Sequence, residues 1–149
     1  MERKEILTTP KHGWCDFTFD KDLRISYIND FPRGILEAMA YSLENHFNFC
    51  FTIDAEGYDY SIVSPQLYEI LIIKRMDEDT LTSLGDYDFK DFCLDFCYSI
   101  EKNIDLFSEF DCGVSIEVEY GNLSVKDEER KALEELISRI RKIINKEES

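Results

Sequence analysis

Positive charge, histidine, glycine and proline are all scarce in this chain. Its 149 residues hold 17 Lys and Arg against 32 Asp and Glu, a net charge of −15. Such a field repels the polyanion of a nucleic acid and the anionic surface of a membrane, so neither is expected as a partner. No run of about 18 apolar residues occurs. The first ten residues, MERKEILTTP, hold no apolar signal core, which predicts a cytoplasmic protein. With six glycines and three prolines, connections should be short and flexible linkers few.

Chemical motifs are missing as well. The chain has no glycine-rich phosphate loop, no GxSxG, no HExxH and no CxxC pair. Cys15, Cys50, Cys93, Cys97 and Cys112 make an odd number, which predicts reduced thiols and not a disulfide framework. Cys93 and Cys97 lie one helical turn apart with no further ligands nearby, the pattern of core packing and not of a metal site. Asp54, Glu56, Gly57 and Asp59 lack the ligand spacing and distal Glu of a calcium loop, and read as a hairpin turn. His12 falls in a polar leader, and His46 at a helix end where an imidazolium suits the dipole. Cys15 is close to His12 in sequence, but its strand position points the thiol into a core. The expectation is no enzyme, no metal and no cofactor.

What is present is a core. Hydrophobic residues make up 44% and aromatics 13%, enough for one domain over 1–149, with residues 1–12 loosely ordered. Period-two alternation over Trp14–Phe19 and Leu23–Tyr27 predicts a hairpin around Asp20–Asp22. Asp30 as cap and Pro32 in the first turn predict a helix to about Phe47 that buries Ile35, Leu36, Met39, Ala40, Leu43 and Phe47. Strands follow at Phe49–Ile53 and Tyr58–Ile62. The apolar run Leu67–Lys74 reads as a central strand covered on both faces. Met76–Gly85 reads as an acidic loop. Asp86 or Asp88 should cap a helix from Phe89 to Phe110 with Phe89, Phe92, Cys93, Phe96, Cys97, Ile100, Ile104 and Phe107 inward. Val114–Val118 reads as a strand, Gly121-Asn122 as a turn, and Ser124–Asp127 has capping-box spacing before a final helix. The fold class is α+β: an antiparallel sheet of five to six strands packed with three helices, in the order β-β-α-β-β-β-α-β-α.

The acidity is uneven. Residues 54–120 hold 17 acids and only Lys74, Arg75, Lys90 and Lys102 as bases, whereas residues 126–149 hold seven of each sign. The middle of the chain therefore generates the negative field. At 100° per residue, Asp91, Asp95, Asp105 and Glu109 fall on one side of the long helix, opposite its apolar face. Like charges at such spacing repel, and Asp is a poor helix-interior residue, so a ridge of this kind costs stability unless a cationic partner meets it. Asp77, Glu78 and Asp79, with Asp54, Glu56 and Asp59, would extend it. On this reading, charge reversal at Asp91 and Asp95 slows association and leaves folding nearly intact. The competing reading is a solvated face that serves solubility.

In size, α+β pattern, acidity and lack of a catalytic motif, the chain, including the stretch ISYINDFPRGILEAMAYSLENHFNFCFTI (Ile25–Ile53), resembles the immunity proteins of bacterial polymorphic toxin systems, contact-dependent growth inhibition among them. The resemblance implies binding and neutralising a basic cognate toxin domain, in some cases a nuclease, by covering its active site. Complementary charge would speed and select that encounter. A second class is an adaptor or self-assembling structural protein, marked by an exposed patch of Trp14, Tyr58, Tyr60 or Tyr68. A third is a small ligand-binding domain or enzyme, marked by a pocket lined by His46, a cysteine and carboxylates. The oligomeric state is left open.

Overall fold

The computed structural model describes residues 2–110 and 123–148. Over these the chain is α+β, with two antiparallel sheets and helices. Strands β1 (Trp14–Asp16) and β2 (Arg24–Ser26) form the expected hairpin, with Cys15 opposite Ile25. Helix α1 spans Arg33–Asn45. A four-stranded meander follows in the order β3 (Phe49–Asp54), β4 (Asp59–Ser64), β5 (Glu69–Arg75) and β6 (Asp79–Asp88). Helices α2 (Phe89–Lys102), α3 (Ile104–Ser108) and α4 (Leu123–Glu148) complete the described fold.

The core lies on one face of the meander. Phe49, Ile53, Tyr60, Ile62, Ile70 and Ile72 point inward from the strands. Against them pack Ile35, Leu36, Met39 and Leu43 of α1 and the stripe Phe89, Phe92, Cys93, Phe96, Cys97 and Ile100 of α2, and α4 adds Leu133, Ile137, Ile140 and Ile144 to the same core from its seat on α1, α2 and α3. Each such side chain contributes about 1.5–3 kcal/mol by leaving water. Phe31 is the aromatic hinge of the helical layer: its ring lies 5.5–6.2 Å from those of Phe96, Phe107 and Phe110, edge to face.

Several elements differ from the sequence expectation. Only residues 76–78 of the supposed acidic loop form a turn, and the rest is strand β6. Thr80, Leu81 and Thr82 pair with Lys74, Ile73 and Ile72 of β5, which satisfies backbone groups that a loop would leave to water. The acids at the ends of β6 suit an edge strand, where charge discourages pairing with the wrong neighbour. The sheet is also split: β1 and β2 form their own two-stranded sheet.

The long helix breaks at Asn103 (φ −130°, ψ 41°), so α3 does not continue the helical phase of α2. Asp88, not Asp86, caps α2, its Oδ1 accepting from the Asp91 amide at 2.8 Å. At α1 the N-cap residue is Pro32, whose own side chain makes no capping bond, and the Asp30 carboxylate lies over Gly34 in the first turn. The helix closes at His46, in the left-handed conformation (φ 51°), and Phe47 beyond it is exposed, outside the buried stripe. Helix α4 already includes Leu123, so Ser124 lies within it and not at its cap.

The amino-terminal residues are docked, not loose. Ile6 and Leu7 are buried, Leu7 bridges Phe17, and the Ile6 amide donates to Ser99 Oγ at 2.8 Å. The strand expected at Val114–Val118 and the turn at Gly121-Asn122 lie outside the described residues.

Candidate functional site

The acidic residues divide into two groups with different surroundings. The proposed helical ridge is not a free surface. Asp95 is 4% exposed. Its Oδ2 accepts from Tyr87 Oη at 2.7 Å, and its Oδ1 accepts from the Lys4 amide at 3.2 Å and lies 3.4 Å from Arg3 Nη1. Arg3 also holds Asp91 at 3.2 Å. Arg130 and Lys126 of α4 hold Asp105 and Glu109, both at 2.7 Å. Four acids read as an unmatched row are thus each met by a base from elsewhere in the chain.

The neutral final helix explains this. Its bases are used on its neighbours: besides Lys126 and Arg130, Arg141 pairs with Glu101 at 2.8 Å and Arg139 with Glu44. Partly exposed pairs of this kind contribute up to about 1 kcal/mol each, but they cancel the local field. Burial, followed by the bond to Asp95, pushes the Tyr87 hydroxyl well above its ordinary value. Tyr87 therefore stays a donor at all physiological pH.

The second group comes together in space. Asp54 is opposite Asp59, Asp59 opposite Arg75, and Arg75 opposite Asp79. The β3–β4 and β5–β6 turns therefore sit side by side at one end of the meander, bringing Asp54, Glu56, Asp59, Asp77, Glu78 and Asp79 together. The β1–β2 turn joins them: Lys74 Nζ is 2.7 Å from Asp20 and 3.0 Å from Asp22, and Tyr58 Oη donates to the Asp22 carbonyl at 2.6 Å. Arg75 is held by Asp59 and donates to Ser61. Asp54 Oδ1 accepts from the Glu56 amide at 2.7 Å, closing the first turn. Asp77, Glu78 and Asp79 are exposed. Eight carboxylates thus meet three bases, Lys21, Lys74 and Arg75, at this end.

Next to that acidic end lies a sheet face that the apolar run Leu67–Lys74 predicts to be covered. Residues directly opposite one another share a face. The outward rows are Cys50, Val63, Leu71 and Ser83, then Thr52, Ser61, Ile73 and Leu81, then Asp54, Asp59, Arg75 and Asp79. The helices and the β1–β2 hairpin all pack on the other face, where Tyr60 Oη donates to the Arg24 carbonyl at 3.0 Å. Leu81 is 64% exposed, Val63, Leu71 and Ile73 are half-buried, and none of the four belongs to the core cluster. Strand β5 is therefore central, but one of its faces has no cover among the described residues. The missed signal was the alternation of Thr80, Leu81 and Thr82, masked by the acids before it.

The other expected marks fall differently. Tyr60 is fully buried and Tyr58 half-buried, whereas Tyr68 is exposed, so these aromatics form no common patch with Trp14. Burial pushes the Cys15 thiol far above its ordinary value, the reverse of what a nucleophile needs. His46 Nδ1 lies 3.9 Å from Glu147 at the surface, and no cysteine lines the cavity beside it. A groove of about 690 Å³ between α1 and α4 holds Arg33, Glu37, Tyr41, Glu135 and Arg139 but neither His nor Cys. Among the described residues no three His, Cys, Asp or Glu side chains are placed to hold a metal ion, and no helix is long and apolar enough to cross a membrane. Comparison with protein families, with curated proteins and with solved structures found no match.

Proposed function

We propose that the protein is an acidic binding protein that neutralises a basic protein partner, in the manner of an immunity protein covering the active site of a cognate toxin domain. The observation that carries this reading is the acidic end of the meander, where three turns bring eight carboxylates together with three bases. The contact residues are Asp77, Glu78 and Asp79, with Asp54 and Glu56 beside them. This replaces the α2–α3 ridge, whose acids are engaged within the chain. A field of this kind steers a cationic partner and raises the association rate, with a steep dependence on salt. The mechanism is steric: acidic turns occupy a basic substrate cleft, standing where substrate charge would lie.

The test is a recovery experiment with the tagged protein in its own cell, at low and high salt, beside the variant Asp77→Lys/Glu78→Lys/Asp79→Lys. A stoichiometric basic protein that is toxic when expressed alone, released by salt and bound at least about tenfold more slowly by the variant, is the expected result. A partner bound equally well by the variant would remove the acidic end from the interface. Recovery of the protein by itself, with no basic partner at low salt, would refute the reading.

A further inference from the structure

We infer that the face of the β3–β6 sheet left uncovered among the described residues is the docking surface for the basic partner, with Leu81 and Ile73 as its apolar anchors and Val63 and Leu71 beside them. The inference rests on the proposed function and adds where the binding energy resides. Sheets in water with one wet face ordinarily alternate apolar and polar residues, and β5 does not. Leu71 and Ile73 point away from the core with Val63 and Leu81 across from them, forming one continuous apolar strip over three strands.

Interfaces concentrate energy in such centres and ring them with polar residues. Here the ring is acidic on two sides: Asp54, Asp59 and Asp79 close one end, and Glu69, accepting from Ser83 Oγ at 2.6 Å, stands at the other. The only base on these rows, Arg75, is already held by Asp59 and Ser61. The complementary surface is therefore an apolar segment flanked by Lys or Arg. A second copy of this chain is disfavoured as occupant, because it would bring another −15 and the same acidic rim against this one.

The test places a photo-crosslinking amino acid at Ser83, on this face, and separately at Lys142, on the exposed side of α4, in the full chain in its own cell. The expected result is one crosslinked protein at position 83, with more Lys and Arg than Asp and Glu and with a basic contact peptide. It should be absent at position 142, and its yield should fall about tenfold or more when Ile73→Ser or Leu81→Ser is added. Leu81 is 64% exposed, so Leu81→Ser keeps the fold even where Ile73→Ser weakens it, and circular dichroism confirms both. A basic partner captured at position 142 but not 83, or at 83 with yield unchanged in both variants, would overturn the docking face while leaving the proposed function standing. Crosslinks at 83 only to the same chain would overturn it in favour of self-association. No basic protein at either position would overturn the docking face, and the recovery experiment at low and high salt then decides the proposed function by itself.

Discussion

Asp95 discriminates between the two accounts of the acidic helix, and Asp95→Ala is the decisive substitution. If Asp95 stood on an open ridge, its removal would relieve repulsion from Asp91 and stabilise the protein by a few tenths of a kcal/mol. The structure requires the opposite. Asp95 is 4% exposed and accepts from Tyr87 Oη and the Lys4 amide. Hydrogen bonds to a charged acceptor contribute roughly 1.5–3 kcal/mol each, and the donors left behind are partly buried. Arg3 keeps Asp91 and some access to water, so its loss adds no more than about 1 kcal/mol. Taking the low end for each of the two bonds, because both donors keep some access to water, the cost is at least roughly 3 kcal/mol. For a chain of this size that corresponds to a fall in melting temperature of about 9 °C. Urea unfolding with a shared slope, beside a thermal melt, measures both. Asp105→Ala, at a side chain 61% exposed, is the control and should cost less than about 1 kcal/mol. A change under about 0.5 kcal/mol for Asp95→Ala would refute the buried-carboxylate account. The same reasoning reverses the expectation for charge reversal at Asp91 and Asp95: a Lys at position 95 would bury a cation among Arg3, Lys4 and Tyr87, and folding would suffer before binding was tested.

Two further predictions concern titration and reactivity. Burial raises the Asp20 carboxyl, but the bond and charge of Lys74 outweigh this and set it below its ordinary value. Its stabilising share is therefore present above the unfolded carboxylate pKa near 3.8 and lost as pH falls through the lower folded value. For Lys74 the bond to Asp20 raises the pKa above 10.5, so its share is present below that value and lost as pH rises through the folded one. Lys74→Met should flatten the acid limb of a stability–pH profile below about pH 4, by no more than about 1 kcal/mol, and an unchanged limb would refute the assignment. Among the described cysteines Cys50 is exposed, whereas burial pushes Cys97 up to about 12 and holds Cys15 and Cys93 well above their ordinary value. Brief alkylation of the folded protein followed by peptide mapping should label Cys50 and spare Cys15, Cys93 and Cys97 until urea is added. Native labelling of Cys93 would contradict the packing of α2.

Patterns set by neighbours along the chain determined much of this molecule before any tertiary contact was considered. The period-two alternation around Cys15 and Ile25, the helical stripe from Phe89 to Ile100, the cap at Asp88 and the turn at Asp54–Gly57 are local, because pleat, helix pitch and turn chemistry act over a few residues. The α+β class and the concentration of acid in residues 54–120 follow from the same patterns and from counting. Only the tertiary structure decided which acids remain available. Asp91, Asp95, Asp105 and Glu109 are separated by 88 or more positions from Arg3 or by 17 to 25 from Lys126 and Arg130, and electrostatic pairing depends on distance in space and not along the chain. It also decided that Leu71, Ile73 and Leu81 share a face that no helix covers among the described residues. An apolar run reveals that a strand is central, but which of its faces is packed depends on where the helices fall.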